Sequence, residues 1–348
     1  MFKIIQEGKA KIKISKESKI SKKLPVFYNP VMKNNRDLSV LVLNSIPDKN
    51  LNVCLPLAGS GIRGLRFLLE LKKNKMQTLF INDYKEDFYD IIKENFSLNK
   101  LPYKEVILSN DDANIFLLEG FGFDYIDIDP FGTPNPFLDS SIRRLSRGGI
   151  LAVTATDTSA LSGTYPDACI RKYWAIPLRN ELKHEIGIRI LIRKVQLVSA
   201  QYEKALTPIF SYSKDHYVRI FFRCEKSKAE VDKSLKLHGM IETAGPMWLG
   251  SLWDTKLVFK MYKSAVNVPN DNLKDFLGLI LEESKIDVCG FFDIHQLCKK
   301  NKLQIPKYEL LITKLKKNGF KVSRTHFSPL GLKSNIEKEK LLEIIQTI

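Results

Sequence analysis

Residues 26–225 alternate between short apolar runs and segments in which apolar residues recur at helical spacing. The helical spacing is clear at Ile62, Leu65 and Leu69. Short apolar runs bounded by turn residues are typical of buried strands. The strand-like runs are NVCLPLAG (52–59), TLFIND (78–83), EVILSNDDA (105–113), FDYIDIDPFG (123–132), GGILAVTATD (148–157) and YVRIFFRC (217–224). This alternation predicts an α/β domain with a doubly wound, mostly parallel sheet, whose ligand site lies outside the carboxyl ends of the strands.

The amino-terminal 25 residues have a different character. They contain eight lysines and two glutamates, and charged and apolar residues alternate in KAKIKIS (9–15). Alternation with a period of two predicts a short strand or hairpin. We therefore expect an N-terminal basic arm, whose lysines either contact phosphates or form a solvated strand face.

Residues 226–348 are predicted to form a smaller α+β C-terminal domain. The polar stretch at 224–239 is expected to be a linker. Apolar residues recur at helical spacing within 273–280 and again within 308–315, where Asn-Gly then provides a stop signal. A strand over KVSRTHF (321–327) completes a winged-helix-like order. Residues 299–321 contain eight lysines and one glutamate, and these lysines form either a backbone-binding face or a solvated helix surface.

Charge favours a polyanionic partner. Lys and Arg number 55 against 39 Asp and Glu, which gives a formal net charge of +16. Nucleic acid is the simplest such partner, and an anionic membrane surface is a weaker alternative. A lysine-rich composition unrelated to any partner would also account for the charge. The five cysteines lack any C-x-x-C spacing, so we expect a reducing cytoplasmic location and no disulfide framework. We expect no signal peptide and no membrane span, since no run of eighteen apolar residues occurs.

Three strand ends carry the residues of a nucleotide-type cofactor site. The turn AGSGIRGLRF (58–67) follows a strand and opens a helix, whose N-terminus favours an anionic group. Asp83 follows the next strand, 22 residues after Gly61, where an acid commonly binds ribose hydroxyls. Asp112 and Ala113 follow the third strand, where a side chain could bind an adenine amino group. These features fit either NAD or S-adenosylmethionine. Arginines beside the turn, Arg63 and Arg66, favour the carboxylate of S-adenosylmethionine.

The fourth strand ends in Asp129, Pro130, Phe131 and Gly132, a sequence suited to a nucleobase amine. Such an amine is a poor nucleophile, and acceptors that hold its protons make it more reactive. A carboxylate and a carbonyl fixed by proline are suitable acceptors, and an aromatic ring can stack on the base. Alternatively, these four residues form only a turn that ends the strand. A dehydrogenase has no need of this sequence, whereas an amino-methyltransferase does.

The sequence resembles the archaeal tRNA guanine-N(2) methyltransferases that dimethylate guanine 26. The resemblance runs through nearly the whole chain. It is carried by EGKAKI (7–12), PVFYNP (25–30), NRD (35–37), GSGIRGLRF (59–67), DDAN (111–114), DIDPFGTP (127–134), VTATDTSALSGTYPDACIRKYWAIPLRNELKHEIGIRIL (153–191), KDHY (214–217), GPMWLG (245–250) and RTHFSP (324–329). It implies a Rossmann-type methyltransferase domain over 26–225, a family-specific domain over 226–348 that contacts tRNA, and S-adenosylmethionine as methyl donor.

The resemblance also implies roles for individual residues. Asp129 matches the catalytic acid, with Pro130 and Phe131 in the same motif. Phe131 and Phe27 match aromatic residues that hold the target base. The matched S-adenosylmethionine contacts are Arg36, Arg63 or Arg66, Asp83, Asp112 and Ala113.

Two departures and several alternatives accompany this hypothesis. Relatives commonly have an acid near Leu55, and some carry zinc-binding cysteines whose spacing is absent here, so we expect no metal. The alternatives are a methyltransferase for an exocyclic amine of rRNA or DNA, a tRNA-binding protein without catalysis, and a nicotinamide dehydrogenase. The basic stretch 171–194 could grip phosphates or pair in part with Glu181 and Glu185. The oligomeric state and the choice between mono- and dimethyl product have no sequence signal.

Overall fold

The computed structural model describes residues 2–15, 26–266 and 271–348. The strands are β1 (Phe2–Glu7), β2 (Ala10–Ser15), β3 (Leu51–Leu55), β4 (Met76–Asn82), β5 (Val106–Ser109), β6 (Phe123–Ile128), β7 (Leu145–Ala155), β8 (Lys204–Lys214), β9 (Tyr217–Lys226), β10 (His238–Ile241), β11 (Ala244–Trp248), β12 (Phe292–Asp293), β13 (Val322–Thr325) and β14 (Ser328–Ser334).

A short 3-10 helix, Pro30–Met32, precedes the first of the α-helices. The α-helices are α1 (Lys33–Ser45), α2 (Ile62–Glu70), α3 (Phe88–Leu98), α4 (Ala113–Glu119), α5 (Asn135–Arg144), α6 (Thr158–Leu161), α7 (Pro166–Tyr173), α8 (Lys183–Ala200), α9 (Lys228–Lys236), α10 (Thr255–Ala265), α11 (Asp271–Glu283), α12 (Ile294–Lys300), α13 (Tyr308–Lys317) and α14 (Lys338–Gln346). None of these described helices is long and apolar enough to cross a bilayer.

A seven-stranded sheet has the order β5-β4-β3-β6-β7-β9-β8. The pairs β3–β4, β4–β5, β3–β6 and β6–β7 are all parallel. The chain runs outward from β3 through β4 to β5, and then returns to place β6 on the other side of β3. The predicted doubly wound, mostly parallel sheet is therefore confirmed. Its switch point lies between β3 and β6, which is where ligand crevices form in such sheets.

All six strands predicted for this sheet are present, and the sequence missed only β8. Pro208 lies within β8, and a proline inside an apolar run argues against a central strand because it cannot donate to the ladder. The structure resolves this conflict by placing β8 at the edge of the sheet. Edge strands tolerate proline.

The predicted N-terminal hairpin is confirmed for residues 2–15, and the rest of the predicted arm, 16–25, lies outside the described residues. Strands β1 and β2 pair antiparallel. The N–H groups of Lys11 and Lys13 donate to the side-chain oxygens of Asn99 and Asn95, at 2.8 Å each. Helix α3 supplies Asn95, so amide side chains cover the exposed edge of β2. Phosphate contact by the arm remains a prediction.

Glu7, at the end of β1, ties the hairpin to helices α1 and α2 through buried charges. Its carboxylate accepts hydrogen bonds from Arg36 Nε at 2.7 Å, Arg36 Nη2 at 2.5 Å, Tyr28 Oη at 2.8 Å and Arg66 Nη1 at 3.1 Å. Burial opposes the ionisation of Glu7, but the hydrogen bonds and charges of these partners outweigh it and lower its pKa to about 2. A salt bridge between groups this buried is costly to break from one side only.

The chain forms two compact units that are interleaved along the sequence. Unit 1 comprises Met1–Ala155, Val198–Thr207 and Phe221–Val231, and unit 2 comprises Thr156–Leu197, Pro208–Ile220 and Asp232–Ile348. Strands β8 and β9 follow residues of unit 2 in the sequence and yet belong to the seven-stranded sheet. No single position in the sequence therefore divides the two units. The domain boundaries at 25–26 and 225–226, which the sequence suggests, remain a prediction.

The polar stretch at 224–239 is not a linker as predicted, because it contains the end of β9, helix α9 and the first residues of β10. Within α9, Val231 and Ser234 are buried, whereas most of its other residues are charged and exposed. One buried apolar residue is sufficient to hold a short helix against its neighbours. It does not give the repeated apolar spacing by which a helix is recognised in a sequence.

The two helices and the strand predicted in the C-terminal part of unit 2 are present as α11, α13 and β13, but the sequence missed β12 and α12, which lie between the two helices. The sheet of this part has the order β12-β14-β13. Leu297, Leu311, Leu315 and Leu341 belong to its apolar core. The likeness to a winged-helix module remains a prediction. Helix α13 ends at Asn318-Gly319, where Gly319 has φ of 82°.

We predict that Glu7→Gln lowers the free energy of unfolding by about 3 kcal/mol at neutral pH, because two buried guanidinium groups lose their shared carboxylate. The folded pKa of about 2 lies below the ordinary glutamate value of 4.5. The contribution of Glu7 is therefore complete above about pH 4.5 and is lost as the pH falls toward 2. Urea denaturation of both proteins across this pH range measures the effect.

Glu94→Gln is the matched control, because it removes an acid whose ion pair with Lys13 is largely exposed. Its effect should stay below about 1 kcal/mol at every pH. The difference in free energy of unfolding between Glu7→Gln and the unchanged protein should become smaller below about pH 4.5. A difference that is independent of pH would contradict the lowered pKa of Glu7.

Candidate active site

The four motifs singled out in the sequence follow four neighbouring strands of the sheet. The glycine turn follows β3, Asp83 follows β4, Asp112 follows β5 and Asp129 follows β6, and these strands adjoin in the order β5-β4-β3-β6. Because the strands are parallel, all four motifs meet at the same edge of the sheet. The structure thus brings together, around the switch point, residues that are up to 71 positions apart in the sequence.

The glycine turn has the open backbone that the sequence predicts. Gly59 and Gly61 have φ of 57° and 75°, a region that side-chain-bearing residues rarely adopt. A Cβ atom on Gly61 would lie 2.3 Å from Ile92 Cδ1, so only glycine fits there. Gly61 caps α2 without a side-chain hydrogen bond. Asp83 Oδ2 accepts the N–H of Gly59 at 2.7 Å, which fixes the turn against the end of β4.

Two asparagines that the sequence analysis missed hold the neighbouring strand ends in place. The buried Asn82 donates to the carbonyls of Pro56 at 3.1 Å and Asp111 at 2.9 Å, and it accepts the N–H of Asp111 at 2.9 Å. Asn110 donates to the carbonyl of Asp83 at 2.6 Å. The available signal was a polar residue directly at the end of an apolar strand.

Asp112 is exposed and caps helix α4. Its Oδ1 accepts the N–H groups of Asn114 at 2.8 Å and Ile115 at 3.3 Å, which fixes the direction of the carboxylate. Ala113, the first residue of α4, is buried. Contact of Asp112 and Ala113 with an adenine ring remains a prediction.

Arg63 holds the carboxylate of Asp129. Its Nη2 donates to Asp129 Oδ2, and its Nη1 donates to Asn35 Oδ1 at 3.0 Å and Ser39 Oγ at 2.8 Å. Asp127 Oδ2 lies 3.5 Å from the same Nη1. The guanidinium is buried, and such charge-assisted bonds are about twice as strong as neutral ones. Asp129 therefore has one oxygen fixed by Arg63, and its Oδ1 is available as an acceptor.

The other two arginines predicted to contact the cofactor are also bound by protein carboxylates. Arg66 Nη1 bonds Asp37 Oδ1 at 2.5 Å and Glu7 Oε1 at 3.1 Å, and its Nε and Nη2 bond Glu70 at 2.9 and 2.8 Å. Arg36 makes two hydrogen bonds to Glu7 and donates a third to the carbonyl of Asn29 at 3.0 Å. Sequence analysis missed these acids, because nothing in a single sequence pairs Glu7 with arginines 29 and 59 positions away.

Phe27 and Phe131 lie together beside the glycine turn. Their ring centroids are 4.5 Å apart with planes inclined at 74°. Phe131 is 44% exposed, and a Cβ atom on Gly59 would lie 3.6 Å from Phe27 Cδ1. The two aromatic residues predicted to hold a base are thus adjacent, although they are 104 positions apart in the sequence. Pro130 links Phe131 directly to Asp129.

Within the described part of the chain, no cluster of three or more His, Cys, Asp or Glu residues could hold a metal ion. The five cysteines are free. Absence of metal remains a prediction. Leu55, at the position where relatives commonly have an acid, is buried and lies close to Gly64 in the core of unit 1.

The chain is similar to known proteins over nearly its whole length. The family model for N2,N2-dimethylguanosine tRNA methyltransferase matches residues 8–244 and 234–346. The tRNA (guanine(26)-N(2)/guanine(27)-N(2))-dimethyltransferase of Aquifex aeolicus is 40% identical, over 99% of this chain and 96% of that protein. The tRNA (guanine(26)-N(2))-dimethyltransferase of Methanococcus maripaludis strain C7 is 41% identical, over 99% and 98%.

A solved structure gives the same result for the fold. Trm1 from Pyrococcus horikoshii, determined in complex with S-adenosyl-L-methionine, superimposes with a TM-score of 0.89 at 36% identity, covering 98% of this chain and 99% of that one. The predicted resemblance and the Rossmann-type fold are confirmed. The chain belongs to the N2,N2-dimethylguanosine tRNA methyltransferase family.

Proposed function

We propose that this protein transfers one or two methyl groups from S-adenosylmethionine to the exocyclic amine of guanine 26 in tRNA. The observation that carries the proposal is the position of Asp129. Arg63 holds it at the switch point of the sheet, two residues before Phe131, whose ring packs against Phe27. The names of the full-length relatives support the substrate and the product. The net charge of +16 suits a polyanionic RNA.

The residues present fit S-adenosylmethionine. The turn at Gly59 and Gly61 leaves the N-terminus of α2 without a side-chain cap, so its N–H groups and dipole can bind an anionic group. Asp83 and Asp112 would bind the ribose hydroxyls and the adenine amine. When bound, S-adenosylmethionine supplies a methyl group activated by a sulfonium.

Arg36, Arg63 and Arg66 each bind a carboxylate of the protein already. To contact the carboxylate of the cofactor, each would have to bind both carboxylates or release the one from the protein. We propose that Arg36 and Arg66 act mainly by holding the N-terminal hairpin through Glu7. Arg63 acts as a positioning residue for Asp129, because it bonds Asp129 directly while Asn35 and Ser39 fix its own orientation.

Asp129 performs the acid–base part of the reaction. Its Oδ1 accepts a hydrogen bond from the guanine amine, which draws electron density toward the nitrogen and makes it more nucleophilic. Once the nitrogen has bound a methyl group it is positively charged until it loses one of its protons, and Oδ1 is the atom proposed to receive that proton. Pro130 has a fixed φ angle, which restricts the backbone that carries Asp129 and Phe131.

Phe131 and Phe27 hold the base. Their edge-to-face arrangement gives two differently inclined apolar surfaces at the entrance of the site. Guanine 26 would have to leave its stacked position in the tRNA to reach them, as bases do in other enzymes that modify them. Alignment of the amine then depends on this stacking and on Asp129.

Nucleoside mass spectrometry tests the proposed function. We predict that the purified protein, incubated with S-adenosylmethionine and an unmodified tRNA transcript, produces N2-methylated or N2,N2-dimethylated guanosine at position 26. A transcript with adenine at position 26 is the control and should remain unmodified. Methylation of rRNA or DNA fragments in preference to tRNA, or the absence of any methylated nucleoside, would contradict the proposal.

We predict that Asp129→Asn lowers kcat by about 10²- to 10⁴-fold, because the amide cannot accept the proton of the amine. Affinity for S-adenosylmethionine, measured by isothermal titration calorimetry, should stay within about twofold, since the proposed cofactor contacts are untouched. Asp139→Asn makes the same chemical change on the exposed surface of α5 and should have normal kcat. Normal turnover by Asp129→Asn would show that another group accepts the proton.

Arg63→Lys separates positioning of Asp129 from cofactor binding. Lysine keeps the charge but cannot bond Asp129, Asn35 and Ser39 together. We predict a fall in kcat of about ten- to a hundredfold, as expected for a displaced catalytic group, with the affinity for S-adenosylmethionine nearly unchanged. The opposite result, weak cofactor binding with normal kcat at saturation, would assign Arg63 to the cofactor carboxylate instead. Circular dichroism confirms that the variant is folded.

A further inference from the structure

Unit 2 exposes a group of large apolar side chains between residues 165 and 176. Tyr165 is 63% exposed, Trp174 is 52% exposed, and Ile170 and Ile176 are each 47% exposed. The chain has three tryptophans, and the other two, Trp248 and Trp253, are buried. A tryptophan exposed to this degree is unusual unless it contacts a partner.

The backbone holds Trp174 rigidly in an unfavourable conformation. Its φ of 57° lies in the left-handed region, which costs free energy for any residue other than glycine. The N–H of Trp174 donates to the carbonyl of Ile170 at 3.0 Å, and its own carbonyl accepts from Arg193 Nη1 at 3.2 Å. Two residues later, Ile176 and Gly245 exchange hydrogen bonds of 2.7 and 2.8 Å. The indole is therefore presented from a fixed backbone.

Two cations on α8 lie against this tryptophan. Lys194 Nζ is 2.9 Å from the centroid of the Trp174 ring, and Lys194 is only 6% exposed. Burial and the charge of Arg193 lower the pKa of Lys194 to about 8, and burial also lowers the pKa of Arg193. Among the residues that the structure describes, neither cation forms an ion pair with a carboxylate. Buried charge without a counter-charge is unfavourable, and an incoming anion would relieve this cost.

The rest of the basic stretch has other partners or lies in solvent. Arg189 bonds Glu185 at 2.9 and 2.8 Å, as the sequence predicts for part of this stretch. Lys172 pairs with Asp157 at 3.1 Å. Among the described residues, the buried Lys194 and the partly buried Arg193 thus differ from their neighbours because neither has an acidic partner.

We propose that the surface formed by Ile170, Trp174, Arg193 and Lys194, here called the Trp174 surface, binds an unpaired nucleotide of the tRNA. The base stacks on the indole, while Arg193 and Lys194 attract the phosphate. Stacking on an aromatic side chain combined with nearby cations is the usual way in which proteins hold single-stranded RNA. This inference rests on the proposed function for the identity of the RNA.

Trp174 fluorescence provides a direct test, because the other two tryptophans are buried. We predict that saturation of the full-length protein with unmodified tRNA, without cofactor, lowers the acrylamide quenching of the exposed tryptophan. Trp174→Ala should weaken tRNA affinity by about five- to a hundredfold, the range observed when one stacking aromatic is removed. Trp174→Phe should retain most of the affinity.

The matched control is Phe259→Ala. Phe259 is another exposed aromatic residue of unit 2, 45% exposed, and Lys263 Nζ lies 4.6 Å from its ring centroid. Unlike Lys194, Lys263 is exposed. We expect this variant to bind tRNA within about twofold of the unchanged protein. Affinity for S-adenosylmethionine should be unchanged in every variant.

Lys194→Met distinguishes a binding role from a structural one. Removal of an uncompensated buried charge should leave the melting temperature equal or higher, whereas tRNA affinity should fall and its dependence on salt should become less steep by about one ion. A lower melting temperature with unchanged tRNA affinity would assign Lys194 to the fold and overturn its proposed role.

Two further outcomes would overturn the inference. One is a Trp174→Ala variant that binds tRNA normally, with Trp174 still open to acrylamide in the complex of the unchanged protein. The other is a dimer, seen by light scattering, that Trp174→Ala dissociates, since the surface would then bind a second copy of the chain. RNA binding needs no turnover, so these results are independent of whether methylated guanosine is found.

Discussion

A single arginine at the beginning of α2 connects the glycine turn to the acid at the end of β6. Arg63 is buried, is oriented by Asn35 and Ser39, and donates to Asp129. A carboxylate at a strand end would otherwise turn freely in solvent. With one oxygen fixed, Asp129 can direct the other toward a substrate amine, and the chemistry proposed for this protein depends on that orientation.

Arg66, three residues later on the same helix, belongs to a second buried network. It bonds Glu70, Asp37 and Glu7, and Glu7 also binds Arg36. Helix α2 therefore connects the N-terminal hairpin with the residues around Asp129. This connection explains why a short, lysine-rich arm contains a buried glutamate whose pKa is lowered to about 2.

Periodicity and strand-end chemistry were sufficient to predict the sheet, the glycine turn and the positions of Asp83, Asp112 and Phe131 at strand ends, whereas only the resemblance to the family linked Phe27 to the same site. These features are local, because each depends on a short run of residues and on the rule that parallel strands end at one edge. Other features depended on distant contacts. Strand β8 contains a proline that only its edge position permits, and α9 is anchored by one buried valine.

The partners of the arginines illustrate the same limit. Sequence placed Arg63 and Arg66 near an anionic ligand, because arginine beside a glycine turn favours a carboxylate, and the resemblance to the family added Arg36. The structure shows that protein carboxylates already bind all three. The pairing of acids with arginines depends on how α1, α2 and the N-terminal hairpin pack together. A single sequence does not specify that packing. The cation pair beside Trp174 was likewise visible only as part of a basic stretch.

A double-mutant cycle between Arg63 and Asp129 tests the central claim most directly. Turnover would be measured for Arg63→Met, Asp129→Asn and the combined variant at saturating tRNA and S-adenosylmethionine. If Arg63 acts through Asp129, the combined variant should be no slower than Asp129→Asn alone, because the oriented acid is already absent. Losses that multiply independently would show that Arg63 serves the reaction by another route and would contradict the account.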